Sequence, residues 1–235
     1  MTLPRKSYPI HKMVLPSNNK TVSFRPYLVK EEKILLMATE SGDEKQILTA
    51  TKQILRNCIL DTDFDINTMA VFDMQYAFVQ LRAKSVGEIA ELKVICNKCN
   101  HPNDYKLNFS TIRVEIPADI NFKIPLDGNL GITMQYPSIS AMDKFIQAND
   151  KNRDLSVELI MACIKNIWDD TTVYDPHTEP LEEQVAFIES LGRSDMEKLE
   201  SFTQKIPTIT SKIEFTCTKC GEKNERVLGG LADFF

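Results

Sequence analysis

Hydrophobic and polar residues change period several times along the chain, and each change marks an expected element. Near the start, Tyr8, Ile10, Met13 and Leu15 alternate weakly among Pro4, Pro9 and Pro16; Ser17-Asn18-Asn19-Lys20 has turn composition, and Val22 and Phe24 resume the alternation. This predicts a hairpin ending at Arg25-Pro26. From Lys30 the period lengthens, with Ile34, Leu35, Met37 and Ala38 interleaved with Glu31, Glu32 and Lys33, and Gly42 marks a stop. Asp43 then suits the N-cap of a second helix reaching about Ile59. A third, from about Thr68 to Ala83, carries two stripes, Phe72 with Tyr76 and Val79, and Met74 with Phe78 and Leu81, so it should pack on two sides.

After Gly87 the period falls to two. Leu92 and Val94, then Tyr105, Leu107 and Phe109, Val114 and Ile116, and finally Ile132, Met134 and Tyr136 read as strands. Helical spacing returns after Pro137, over Ser138 to about Asn149, Asp154 to about Trp168, Leu181 to Leu191 and Asp195 to about Lys205. Ser194-Asp195-Met196-Glu197 has capping-box composition, and Gly192 suits the C-terminal turn of the helix before it. Pro207 closes this stretch, and Ile213 and Phe215 return to strand spacing. The expected fold is α+β. Residues 1–90 form an N-terminal hairpin and helical lobe, residues 91–137 with 207–235 a split zinc-ribbon-like β module, and residues 138–206 a helical insertion.

The strands of that split module bracket two Cys-x-x-Cys pairs, Cys96 with Cys99 and Cys217 with Cys220. Four thiolates are the donor set that tetrahedral zinc prefers, and strand residues on both sides place each pair at a hairpin tip. The interval between the pairs far exceeds the linker of a compact ribbon, so a folded insertion must fill it. Closing a loop of roughly 100 residues costs about 5 kcal/mol, against about 10–16 kcal/mol of apparent binding free energy for structural zinc in small fingers. Disulfides would need an oxidising compartment, and Met1-Thr2-Leu3-Pro4-Arg5-Lys6 has no signal-peptide character. A redox pair would open a helix beside a βαβ unit. His101 follows Cys99 closely, but four cysteines already complete a tetrahedron. A closed four-cysteine site leaves no position for a reactive water, so the metal is expected to be structural.

Charge and composition narrow the function. A net charge of −5 becomes more negative, about −7, with four zinc-bound thiolates, which disfavours non-specific nucleic-acid binding. The rival is a nucleic-acid-binding zinc ribbon, because Lys93, Lys98, Lys106, Lys212, Lys219, Lys223 and Arg226 gather near the cysteines; those cations equally offset the charge of a zinc ion held by four thiolates. No apolar run approaches the roughly 20 residues of a membrane span. His11, His101 and His177 lack catalytic metal spacing, and no phosphate loop or nucleophile elbow occurs, so an enzyme is not expected. Cys58 and Cys163 fall on apolar helical stripes as small hydrophobes.

Phe24-Arg25-Pro26 runs into Leu28-Val29-Lys30-Glu31-Glu32-Lys33, then Leu36-Met37-Ala38 and Glu40-Ser41-Gly42. Phe72-Asp73 and Tyr76 lead to Gln80-Leu81-Arg82-Ala83-Lys84-Ser85-Val86-Gly87-Glu88, and the chain closes Leu228-Gly229-Gly230-Leu231-Ala232-Asp233-Phe234-Phe235. With the paired cysteines, these segments resemble the baseplate hub protein family of T-even-type contractile-tailed phages over most of the chain. The resemblance implies a non-enzymatic part or assembly factor of the tail hub, working in the host cytoplasm during assembly or carried in the virion baseplate. Its partners would be other hub or tail proteins, or a second copy of itself. The polar segment with Arg82, Lys84 and Glu88 offers charge-assisted hydrogen bonds to a partner or ends a helix with its cations at the negative end of the dipole, and Leu231, Phe234 and Phe235 form an apolar tail that invites association or packs against its own domain.

Overall fold

The computed structural model describes residues 6–126, 128–147 and 154–229. The chain divides into two compact units, one drawing on Met1–Ile66, Phe72–Glu115 and Thr208–Phe235, the other on Asn67–Val71 and Ile116–Pro207. Helices and small antiparallel sheets share the chain, as an α+β fold requires. No helix among the described residues is long and apolar enough to cross a membrane.

In the first unit, β1 (His11–Val14) and β2 (Thr21–Phe24) form the expected hairpin, with Met13 opposite Val22. Met13, Leu15, Val22 and Phe24 are buried. The helices α1 (Val29–Ser41) and α2 (Glu44–Cys58) pack on each other. Between them Gly42 takes φ +65°, the left-handed turn that glycine permits, and Asp43 caps α2 by accepting the Lys45 N–H. The Arg25 guanidinium ties these pieces together: Nη2 donates to Glu31 Oε1 at 3.0 Å and to the Asn57 carbonyl at 2.9 Å. Glu31 is fully buried and also accepts the Leu28 N–H at 2.9 Å, so the charge in the core is paired and hydrogen-bonded.

Next, α3 (Val71–Ser85) buries apolar residues on two sides, as its double stripe requires. Phe72, Met74, Phe78 and Leu81 are buried, while Val79 and Ala83 join a core with the following strands. Asp73 is buried too and accepts the Ser17 N–H at 3.0 Å, pinning the β1–β2 turn. The hairpin of β3 (Ile89–Ile95) and β4 (Pro102–Asn108) and the short β5 (Arg113–Val114) follow.

The second unit is built on an antiparallel meander of β6 (Lys123–Pro125), β7 (Gly131–Met134), β8 (Ile164–Trp168) and β9 (Val173–Tyr174), in that order. Ile132 and Met134, expected to extend the cysteine-bearing strands, pair instead with β8. The helices α4 (Ile139–Gln147), α5 (Leu155–Cys163), α6 (Leu181–Glu189) and α7 (Arg193–Gln204) accompany this sheet. Ile132, Met134, Ile160, Met161, Leu199 and Phe202 lie at the centre of its core. Two expectations fail here. The helix from Asp154 stops at Cys163 rather than Trp168, because the β-branched and aromatic run Ile164-Lys165-Asn166-Ile167-Trp168 finds a cross-strand partner in β7. Gly192, not Ser194, caps α7: its carbonyl accepts the Asp195 and Met196 N–H groups at 3.1 Å, and Glu197 pairs with Arg193.

The chain then returns to the first unit through β10 (Ile209–Thr216) and β11 (Lys223–Gly229), a second long hairpin. The start of β10 also pairs with β5, giving the order β11-β10-β5.

Candidate metal centre

Each cysteine pair sits at the tip of one long hairpin, and the cores of the hairpins explain how the tips meet. Ala90, Val94 and Leu107 of the first and Ile209 and Ile213 of the second pack in one cluster with Val79 and Ala83 of α3. Alternate residues of β3, β4 and β10 face this core, the period-two burial that fixes strand register.

At the tips the four sulfurs lie within 4.8 Å of one another. Cys96 and Cys220 stand 3.7 Å apart and Cys99 and Cys217 3.6 Å apart. A tetrahedral metal with bonds of ~2.3 Å to sulfur has an edge of about 3.8 Å, and a disulfide would need ~2.05 Å. The donor set and spacing therefore fit one tetrahedral ion held by Cys96, Cys99, Cys217 and Cys220. His101 contributes its carbonyl, which accepts the Cys96 N–H at 3.0 Å; the four-residue cluster is complete without its ring.

The two tips repeat each other. Cys96 and Cys217 each accept, through their carbonyls, the N–H of the residue after the second cysteine at 3.0 Å, and that residue takes positive φ in both copies: 55° at Asn100, 70° at Gly221. Asparagine and glycine are the residues that tolerate this conformation. The resulting turns aim backbone N–H groups at sulfur, as Lys219 N–H does at Cys217 Sγ, 3.4 Å away. Burial works against the Cys217 thiolate, but the N–H groups of Cys220 and Lys219 outweigh it and hold the thiol down at about 6. Cys96 is lowered likewise, burial being overcome by the N–H groups of Cys99 and Lys98 and the Asn224 amide. Cys220 is pushed up to about 12: the Glu222 N–H favours its thiolate, but desolvation and the three sulfurs beside it prevail. Four negative sulfurs share this space only when a cation joins them.

Two buried asparagines that sequence reasoning missed interlock the tips. Asn103, on the first hairpin, accepts the Thr218 N–H at 2.8 Å and the Thr218 hydroxyl at 2.9 Å, and its amide donates to the His101 carbonyl at 2.9 Å with Cys217 Sγ at 3.8 Å. Asn224, on the second, accepts the Asn97 N–H at 2.8 Å and donates to the Glu222 carbonyl at 2.9 Å and Cys96 Sγ at 3.5 Å. Each thus steadies its own turn while gripping the opposite one. The signal was present: Cys-x-x-Cys-x-x-x-Asn occurs in both copies.

Four of the lysines near the tips face carboxylates. Lys98 pairs with Glu222 at 2.9 Å, Lys212 with Glu225 at 3.0 Å, Lys106 with Glu91 at 3.7 Å, and Lys93 with Asp104. That is a mixed-charge surface, not the cationic stripe that follows a phosphate backbone. Among the other residues singled out, the Arg82 guanidinium lies over the Phe109 ring, 4.5 Å from its centre, and Lys84 pairs with Glu88 at 2.6 Å one turn further on. Leu231, Phe234 and Phe235 lie outside the described residues. Cys58 and Cys163 are buried; burial pushes their thiols up to about 11, against the pull of Arg25, and about 12.

The profile of the family described as "T4 bacteriophage base plate protein" matches residues 8–235. The chain belongs to this family. The chain is also 25% identical to the baseplate hub assembly protein gp26 of Enterobacteria phage T4, over 96% of this chain and 97% of that protein. No solved structure matches the chain.

Proposed function

We propose that this chain is a non-enzymatic assembly factor or structural component of the phage tail baseplate hub, held in shape by one structural zinc ion. The observation that carries the role is its end-to-end likeness to a baseplate hub assembly protein. The zinc assignment rests on four sulfurs at tetrahedral spacing. Zinc here would supply a crosslink and no chemistry, since four protein ligands leave no open position. Such a crosslink survives in a reducing host cytoplasm, where disulfides do not persist. It would hold the mid-chain hairpin and the last hairpin as one rigid surface for hub or tail partners. The Lys84–Glu88 pair beside exposed Val86, and the closing Leu231, Phe234 and Phe235, are the places where this reading puts partner contacts.

The test uses infections in which the chain is replaced by its Cys96→Ser, Cys99→Ser double variant, or is absent. Hub intermediates should fail to form without the chain and form poorly with the variant. Elemental analysis of the purified chain should give one zinc per molecule, lost in the variant. Normal hubs without the chain would end the assembly reading. A double variant with unchanged thermal stability and zinc content would end the ligand assignment.

A further inference from the structure

The second unit carries a groove of about 450 Å³ that lies apart in sequence from all four cysteines. Its floor is apolar, built by Met161, Ile164, Ile167 and Phe187. Its rim is acidic: Asp175, Glu179 and Glu183 are exposed around it, and no lining residue among those described is a cation. Asp175 is fixed by accepting the His177 N–H at 2.9 Å, and Gln184 donates to the Glu179 carbonyl at 2.9 Å, so the loop that carries the rim is tied down. The groove also opens beside β9, the last strand of its sheet, where Val173 is 66% and Tyr174 47% exposed.

We infer that this groove docks a segment of a partner protein in which one or two apolar side chains are flanked by lysine or arginine. The charge pattern selects that occupant. An apolar floor takes aliphatic or aromatic anchors, and three carboxylates with no cation among the described lining residues favour a cationic flank and repel an acidic one. A peptide segment can cover both the floor and the exposed strand edge beside it. The inference names the chemistry of one partner for the assembly role and rests on that role.

The test is selection from a random-peptide library on the full-length chain, with binding of the enriched peptides measured by fluorescence anisotropy. Enriched sequences should pair apolar anchors with Lys or Arg, and their affinity should fall as salt rises. The Glu179→Lys, Glu183→Lys double variant replaces two exposed side chains and should keep the melting curve of the parent while binding at least about ten-fold more weakly. Enrichment of acidic or uncharged peptides, equal binding by the variant, or no enrichment at all would overturn the inference. So would a dimer of the parent chain that the same substitutions dissociate, because the occupant would then be a second copy. Complete hubs in infections lacking the chain would instead remove the assembly role and leave the peptide result standing.

Discussion

Replacing Asn103 by alanine deletes an amide that serves both cysteine turns at once. The Thr218 N–H loses its acceptor at 2.8 Å and the Thr218 hydroxyl its acceptor at 2.9 Å, while the His101 carbonyl and Cys217 Sγ lose a donor. Asn103 is only 4% exposed, so water replaces these bonds poorly. One orphaned buried N–H costs about 1–3 kcal/mol. Loss of a side chain that orients a metal ligand lowers metal affinity about 10–100-fold, or about 1.4–2.7 kcal/mol. If the proposed site holds zinc, both estimates predict tighter binding in the parent by one to two orders of magnitude. Competition for zinc with a chromophoric chelator at fixed pH reads this directly, for Asn103→Ala, Asn224→Ala and the double variant. Because both asparagines would act on the one metal of the proposed site, their effects should be non-additive. Asn103→Asp sharpens the test: it keeps an acceptor for Thr218 but brings a negative charge to the sulfurs and removes the amide donor, so it should bind zinc no better than the alanine variant. Unchanged zinc affinity and unchanged melting in both single alanine variants would refute the clamp.

Other outcomes follow from the same geometry. Arg25→Ala takes the guanidinium from buried Glu31 but leaves it Lys30 Nζ at 3.3 Å and the Leu28 N–H, so it should cost about 1.5–3 kcal/mol in urea denaturation, the range for one hydrogen bond to a charged group. The Glu31 carboxyl lies below its ordinary 4.5, since burial, which raises it, is outweighed by hydrogen bonds from Arg25 and Leu28. Its contribution to stability is therefore present above pH 4.5 and lost as pH falls through the lower folded value, and Glu31→Gln should flatten that acid limb. A Cβ at Gly131 would collide with the Trp168 ring, so Gly131→Ala should destabilise the second unit by about 1–3 kcal/mol, followed by the fluorescence of Trp168, the one tryptophan of the chain. Anisotropy with labelled DNA or RNA at low salt should show no salt-sensitive binding, because Lys93, Lys98, Lys106 and Lys212 beside the cysteines face carboxylates.

What was legible in the sequence had a local cause. Gly42 ends α1 and Asp43 starts α2 through groups within a few residues of each other, and the alternation around each cysteine pair sets the hairpins. What was missed depends on distant partners. Leu159, Ile160, Cys163 and Ile167 fit a helical stripe, yet Ile164–Trp168 is a strand because β7 offers it a ladder. Ser194 has a good capping sequence, but the short link from α6 to α7 makes Gly192 the first carbonyl of the helix. Asn103 and Asn224 each act on the opposite hairpin, across more than a hundred residues, so hydrophobic periodicity does not report them and only the repeated Cys-x-x-Cys-x-x-x-Asn spacing does.

The placement of the cysteines also imposes a timetable on synthesis. Cys96 and Cys99 leave the ribosome long before Cys217 and Cys220, with nearly all of the second unit made in between. At about 5–20 residues per second the early thiols wait on the order of ten seconds for their counterparts. During that wait the nascent first unit lacks its last hairpin, so it can be completed only after the second unit has been made.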